Sequence, residues 1–276
     1  LILYVVFFLV PSMLGMYYSL TDWNSYTEKI NFVGFENYIA IFKSNQNYAA
    51  TIKNTILFTI VSNIVKIIPA LILAIMLQDN LRGKNIYRAI LYLPSVIPFL
   101  VIGLTFRSIL HPSNGILNQF LRAINLDVLA KQWLINPKTV WPSIFAVDAW
   151  RGIGYIMTIF LAGLQSIPSS YYEAAVMDGA NYFQKLRYIT LPMLSSAIMI
   201  NLVFGVTYGL KSFDIIYVLT KGGPGRMTDL VTTAAFSMYS TGKYGMATAL
   251  NTILFLITTI AGVWIVRMLS KQEVQQ

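Results

Sequence analysis

Six segments of this chain, residues 1–20, 54–77, 87–106, 140–164, 193–219 and 246–269, are strongly apolar over lengths near 20 residues or more. A bilayer hydrocarbon core about 30 Å thick needs roughly 20 mostly apolar residues per spanning helix. Helices satisfy their backbone hydrogen bonds within one segment, whereas spanning strands require a closed barrel. The pattern therefore predicts an all-α, polytopic membrane protein with six transmembrane helices in a single domain covering residues 1–276. Composition agrees: 56% hydrophobic and 11% charged residues, with a mean hydropathy of +0.62, leave too little polar surface to cover a water-soluble globule of 276 residues. The sequence opens at Leu1 without an initiator Met, so a short leading segment is expected upstream. The first apolar run carries Pro11 and lacks a small-residue cleavage pattern, which reads as a retained helix rather than a signal-peptide core.

Several function classes fall away at this level. The formal charge is +9, yet Lys and Arg are scattered through loops with no basic block, so no nucleic-acid partner is expected. With no cysteine the chain offers no disulfide, thiolate nucleophile or Cys-based metal site, and its single histidine, His111, beside Pro112, reads as a solvated loop residue, so no metal ligand is assigned. The glycine-rich run Gly222-Gly223-Pro224-Gly225-Arg226 lacks the Gly-Lys-Ser/Thr ending of a phosphate-binding loop, and Pro224 removes an amide such a loop needs. It reads as a turn on the outer face. No catalytic residue is assigned.

The longest polar interruption between apolar segments with a readable local code is residues 168–192. Ser170 followed by Glu173 has capping-box spacing and predicts a short helix starting just after Pro168, which stops the preceding span. Ala174, Ala175, Val176 and Met177 give that helix a small, mostly apolar surface suited to close approach by another protein. Gly179 permits a positive-φ turn, and residues 182–188 can form a second short helix leading to Leu191-Pro192. The competing reading is an ordinary interfacial connector.

Charges inside apolar spans cost several kcal/mol and face a cavity or a partner. Lys66 lies near the middle of the second segment, Asp148 and Arg151 share a face of the fourth, and Lys211 and Asp214 share a face of the fifth. Spacing of i,i+3 allows each of the last two sets to pair within its own helix; lining of a polar cavity is the other reading, and the two are compatible. Asn63, Asn201, Trp150, Tyr155, Tyr208 and Tyr217 add hydrogen-bonding groups and aromatic faces at similar depths, which suits a sugar.

The spacing of Glu173-Ala174-Ala175, Gly179 and Ile189-x-Leu191-Pro192 resembles the signature loop of the membrane-spanning subunits of bacterial ABC importers. Three further stretches resemble the carbohydrate-uptake branch of that family, of maltose and glycerol-phosphate type: Trp150-Arg151-Gly152-Ile153-Gly154-Tyr155, Leu161-Ala162-Gly163-Leu164-Gln165-Ser166-Ile167-Pro168, and Asp178-Gly179-Ala180. Residues 213–220 followed by Gly222-Gly223-Pro224 resemble the first of the two permeases paired in such systems. The extra N-terminal spans and large outer domain of the maltose-type first subunit are not expected, which points to the compact six-helix version. The resemblance implies a non-enzymatic permease in a bacterial cytoplasmic membrane, importing a sugar, with an oligosaccharide as the first expectation. It makes residues 168–192 the coupling loop, with Glu173, Ala174, Ala175, Asp178, Gly179 and Pro192 on the positions that engage an ATPase. A second permease in a heterodimer, two ATPase subunits carrying ATP and Mg, and an extracytoplasmic solute-binding protein are the implied partners; no cofactor is expected on this chain. It also sets an inside N-terminus, with Arg82, Lys84, Arg88, Arg267 and Lys271 inside, whereas the outer loops beginning near Thr21, Arg107 and Thr220 carry enough Lys and Arg that charge alone leaves the orientation undecided. Two alternatives differ in class. One is an ATP-independent secondary transporter or channel with an ion relay through Lys66, Asp148, Arg151 and Asp214; the other is a structural membrane scaffold.

Overall fold

A computed structural model describes residues 1–26, 28–43, 48–78 and 82–273, with the side chains of residues 266 and 268–273 excepted, so the Lys271 side chain lies outside the described residues. In chain order the helices are α1 (Ile2–Tyr18), α2 (Glu36–Lys43), α3 (Tyr48–Gln78), α4 (Lys84–Val96), α5 (Phe99–Ile109), α6 (Ile116–Ala123) and α7 (Val140–Gln165). They continue with α8 (Ser169–Met177), α9 (Tyr182–Met193), α10 (Ser195–Leu210), α11 (Asp214–Leu219), α12 (Val231–Ser240) and α13 (Tyr244–Glu273). Among the described residues strand pairing is limited to an isolated antiparallel bridge between Thr21 and Phe32.

The helices follow the six expected segments with three departures. α3, α7 and residues 244–265 of α13 are long and apolar enough to cross a bilayer, whereas α1 is a shorter apolar helix. The third segment breaks into α4 and α5, bent by 96°. Pro98 is the cause: steric clash with its ring pushes the preceding residue out of the helical region, and Ile97 sits at φ −73, ψ 132. The fifth segment is entered through a 62° bend between α9 and α10 at Leu194, two residues after Pro192, and it stops at Leu210. The chain restarts as α11 at Asp214, whose carboxylate suits a helix N-terminus, while the freed Ser212 carbonyl accepts from Thr232 at 2.5 Å. Counting each bent pair as one crossing brings the candidate spans among the described residues to five, beside the shorter α1.

Since lipid tails are as apolar as Leu, membrane helices associate through close packing of small residues and through polar contacts. α3 shows both. It lies against α7 and α10, and its buried face carries the polar stripe Thr51, Thr55, Thr59, Ser62, Asn63 and Lys66. Glycines on the facing helices accept these side chains. A Cβ at Gly209 on α10 would meet the Thr59 Cα at 2.7 Å, one at Gly205 would overlap the Asn63 carboxamide, and one at Gly152 on α7 would meet the Lys66 Cδ at 2.6 Å. The four-residue spacing of Gly205 and Gly209 is the small-xxx-small pattern of close helix crossings. Toward one end of α7, Phe160, Leu161 and Leu164 pack with Ala70, Ala74 and Leu194; toward the other, Val140, Ile144 and Val147 pack with Phe58, Ile215 and Leu219.

Candidate functional site

Asp148 is the centre of a buried polar cluster that joins three helices. Its carboxylate receives the Lys66 ammonium at 2.9 Å, the Ser62 hydroxyl at 2.5 Å and the Tyr208 hydroxyl at 2.7 Å. Lys66 and Asp148 are both almost fully buried, and the Lys66 ammonium also lies 4.2 Å from the centre of the Tyr208 ring. A charge pair in a low-dielectric interior holds only when its geometry is good and its remaining valences are met; here α3 and α10 supply those donors. The expected intrahelical pair between Asp148 and Arg151 does not form. Gly152 leaves room for the Lys66 stem, which brings its ammonium to the carboxylate from across the helix interface, and Arg151 turns the other way. Its guanidinium lies 3.5 Å from the centre of the Phe99 ring, with a long 3.5 Å contact to the Ser95 carbonyl, so it clasps the break between α4 and α5. Lys211 and Asp214 likewise form no ion pair among the described residues; both are exposed, beside a separate hollow of about 360 Å³ under Phe99 and Tyr208.

Beside the cluster opens a cavity of about 500 Å³ lined by Lys66, Asp148, Arg151, Tyr155, Asn201 and Tyr208 together with Tyr92, Ser95, Gly152 and Phe204. Asn201 is 1% exposed, and neither end of its carboxamide meets a protein partner. Leaving a buried amide unpaired costs about 1–3 kcal/mol per group, so such a group marks a place where something polar is received. Asn63 is buried next to the same helix crossing, its amide nitrogen donating to the Thr59 carbonyl at 2.7 Å. Two aromatic candidates lie elsewhere. Trp150 is 45% exposed and edge-on to Phe106, because the 100° step between successive residues of α7 turns it away from Asp148, while Tyr217 stands on the separate helix α11, held between Phe213 and Phe236. Ser62, Ser95, Tyr92, Phe99 and Phe204 belong to the site without having been singled out. Ser62 was within reach, since it lies four residues before Lys66 on one polar stripe; Phe99 and Ser95 arrive only through the α4–α5 bend.

The second feature is the projection formed by α8 and α9. α8 starts directly after Pro168, as expected, but Pro168 itself is the N-cap and no side chain caps the helix. Ser170 therefore falls inside the first turn and the Ser170–Glu173 capping box does not form. The box occurs instead at α9, where the Asn181 side chain accepts from the Gln184 amide at 2.9 Å and the Gln184 side chain accepts from the Asn181 amide at 2.7 Å. α8 ends in a Schellman turn: the Ala180 amide donates to the Ala175 carbonyl at 2.8 Å and the Gly179 amide to the Val176 carbonyl at 3.0 Å, with Gly179 at φ +74. The Tyr172 hydroxyl and Thr190 hydroxyl meet at 3.0 Å and brace the two helices together. The second helix runs on beyond residue 188 through a π-helical stretch, Leu186–Thr190, to Pro192. Ala175 packs inward, whereas Glu173, Ala174, Asp178, Gly179 and Pro192 are exposed. Apolar side chains also face outward here, with Met177 87%, Phe183 76% and Tyr188 71% exposed. Exposed apolar side chains on such a projection suit contact with another protein or with lipid. His111 is exposed, its Nδ1 accepting from the Ser113 and Asn114 amides at 3.3 Å.

A helical membrane subunit with a polar cavity between its spans and a braced helical projection at one end is the architecture of a transport permease. The chain belongs to the family of binding-protein-dependent transport system inner membrane components, which it matches over residues 66–273. It is 32% identical to the trehalose/maltose transport system permease protein MalF of Thermococcus litoralis, over 92% of this chain and 85% of that one. It is 33% identical to the multiple sugar-binding transport system permease protein MsmF of Streptococcus mutans, over 99% of this chain and 93% of that one. Among solved structures, a bacterial ABC transporter involved in the import of the acidic polysaccharide alginate has the same fold, with a TM-score of 0.85, 24% identity and coverage of 97% of this chain and 91% of that chain. A bacterial alginate ABC transporter in complex with an alginate pentasaccharide-bound periplasmic protein superposes with a TM-score of 0.83 at 25% identity, covering 97% of this chain and 90% of that one.

Proposed function

We propose that this chain is the membrane-spanning permease of an ATP-driven ABC importer for a sugar, an oligosaccharide, in a bacterial cytoplasmic membrane. The observation that carries the reading is the braced α8–α9 projection with its exposed apolar face, on a chain of a binding-protein-dependent transport family. The sugars that the relatives are named for, trehalose and maltose in one and multiple sugars in another, support sugar as the substrate class. Family membership leaves no support for the gradient-driven transporter or the structural scaffold.

α8 seats in a groove of an ATPase subunit, with Glu173, Ala174, Ala175, Asp178 and Gly179 at the contact and Pro192 setting the return into α10. ATP and Mg are held by two such ATPases, not by this chain. Because α8 joins α7 through only Ser166, Ile167 and Pro168, closure of the ATPase pair moves α7 as a rigid body. The cavity beside Asp148 opens in turn to each side. A second permease completes it, and a solute-binding protein delivers the sugar from outside. Within the cavity, Tyr155 offers a ring face to a sugar, while Asn201 and Arg151 offer hydrogen bonds to hydroxyls.

The test is to replace Glu173 and Gly179 together, as Glu173→Ala with Gly179→Val, then measure ATPase co-purification and sugar uptake. Loss of both with the permease still in the membrane is the expected result. Unchanged coupling rules out α8 as the docking element.

A further inference from the structure

The end of the molecule opposite the α8–α9 projection carries a cavity of about 1140 Å³ whose charged lining is basic at the rim: Lys53, Lys221, Arg226 and Lys243. Its position follows from the helices that border it. Tyr48 and Trp141, at the starts of α3 and α7, contribute to the wall, whereas α8 follows the end of α7, 26 residues or about 39 Å along that helix. Lys53, Lys221 and Lys243 are exposed and have no ion-pair partner among the described residues. Among the described residues a single carboxylate, Asp229, lines the cavity; it is buried and bonded to Arg226 at 3.1 Å and to the Thr233 hydroxyl at 2.5 Å.

The backbone that presents these cations is tightly held. Lys221 and Arg226 both adopt left-handed conformations, at φ 51 and φ 66, which is uncommon for residues with a Cβ and is kept where surrounding structure over-determines it. The surrounding bonds do so: Thr228 donates to the Gly223 carbonyl at 2.6 Å, and the Asn54 amide nitrogen donates to the Met227 and Asp229 carbonyls at 3.0 Å each. Two of the cations thus stand on a rigid platform.

The distribution of charge selects the occupant. A small anion needs donors converging on a buried point, and here the buried floor is a carboxylate while the Asn54 donors are spent on the backbone. Cations spread around a wide rim instead attract and register a broad surface of opposite sign. We propose that this basic rim is the docking surface for a carboxylate-rich face of the solute-binding protein, setting its approach and register on the permease. The proposal rests on the transport reading above, which supplies the partner and places this end outside.

The test uses the assembled transporter in lipid nanodiscs and the solute-binding protein that stimulates its ATPase. Lys53→Glu, Lys221→Glu and Lys243→Glu are combined, with the three Gln substitutions as a milder companion. The half-stimulating concentration of binding protein is expected to rise about 10-fold or more for the Glu variant and less for the Gln variant, with the maximal rate unchanged. Between about 50 and 200 mM salt the dependence of that concentration on ionic strength flattens. An unchanged half-stimulating concentration and salt slope in both variants overturns the proposal, as does a shift in the sugar concentration needed for uptake with no shift in that of the protein. If no solute-binding protein stimulates even the unaltered transporter, the transport reading itself fails, which separates the two.

Discussion

The Asp148 cluster and the α8–α9 projection handle polarity in opposite ways. In the cluster a lysine and an aspartate are withdrawn from solvent and supplied with donors from two neighbouring helices. On the projection a carboxylate, Glu173, stands exposed while Met177 and Phe183 are turned outward. The first arrangement is closed within the chain and depends on every helix around it. The second is held by bonds within a couple of dozen residues and leaves apolar side chains exposed, the surface proposed above to meet an ATPase. Stability and partner binding are therefore separable, and substitutions in the two regions divide accordingly.

The largest effect is expected from Asp148→Leu, which leaves the Lys66 ammonium buried without its counter-charge and costs about 3–5 kcal/mol. Thermal unfolding in detergent reads this, and adding Lys66→Met recovers most of the loss. A single variant as stable as the parent would mean that the pair is not buried as described. Next comes Gly205→Leu, which forces α10 away from Asn63 on α3 and costs about 1–3 kcal/mol by overpacking, read in the same assay. Tyr172→Phe removes the brace to Thr190 and is expected to cost about 1 kcal/mol, with faster backbone hydrogen exchange in α8 and α9 and little change in α3 or α7. Met177→Glu is expected to change the stability of the isolated permease by no more than about 0.5 kcal/mol, yet to abolish ATPase co-purification. If that variant unfolds the chain, the projection is part of the core and the contrast collapses.

How much of this was legible beforehand differs between the regions for the same reason. In the projection, Pro168 as helix start, the Gly179 turn and the second short helix were all readable, because each is set by neighbours within a few positions. Even there the Ser170–Glu173 spacing points to a capping box that Asn181 and Gln184 form instead, because Pro168 already occupies the N-cap of α8. In the cluster, Lys66, Asp148, Arg151, Asn201 and Tyr208 were singled out as costly or polar residues at depth, and the cavity gathers them. Their partnerships were not readable. The i,i+3 spacing of Asp148 and Arg151 offered a local pair, and a lysine on another helix displaced it. Trp150 was placed in the site by its depth along α7 and excluded by its angular position around it.

From residue order alone came the all-α membrane character, the approximate helical segments, the costly charges at Lys66 and Asp148 and the helix-turn-helix after Pro168. These rest on hydrophobic run length, helical periodicity and backbone preferences, all local quantities. Tertiary structure alone decided that Lys66 meets Asp148 and that Arg151 clasps the α4–α5 bend over Phe99. The same holds for the basic rim, where residues 53, 221, 226 and 243 share one cavity. The physical reason is that a buried charge takes whichever partner helix packing brings near, and that packing is governed by where Gly152, Gly205 and Gly209 let helices approach.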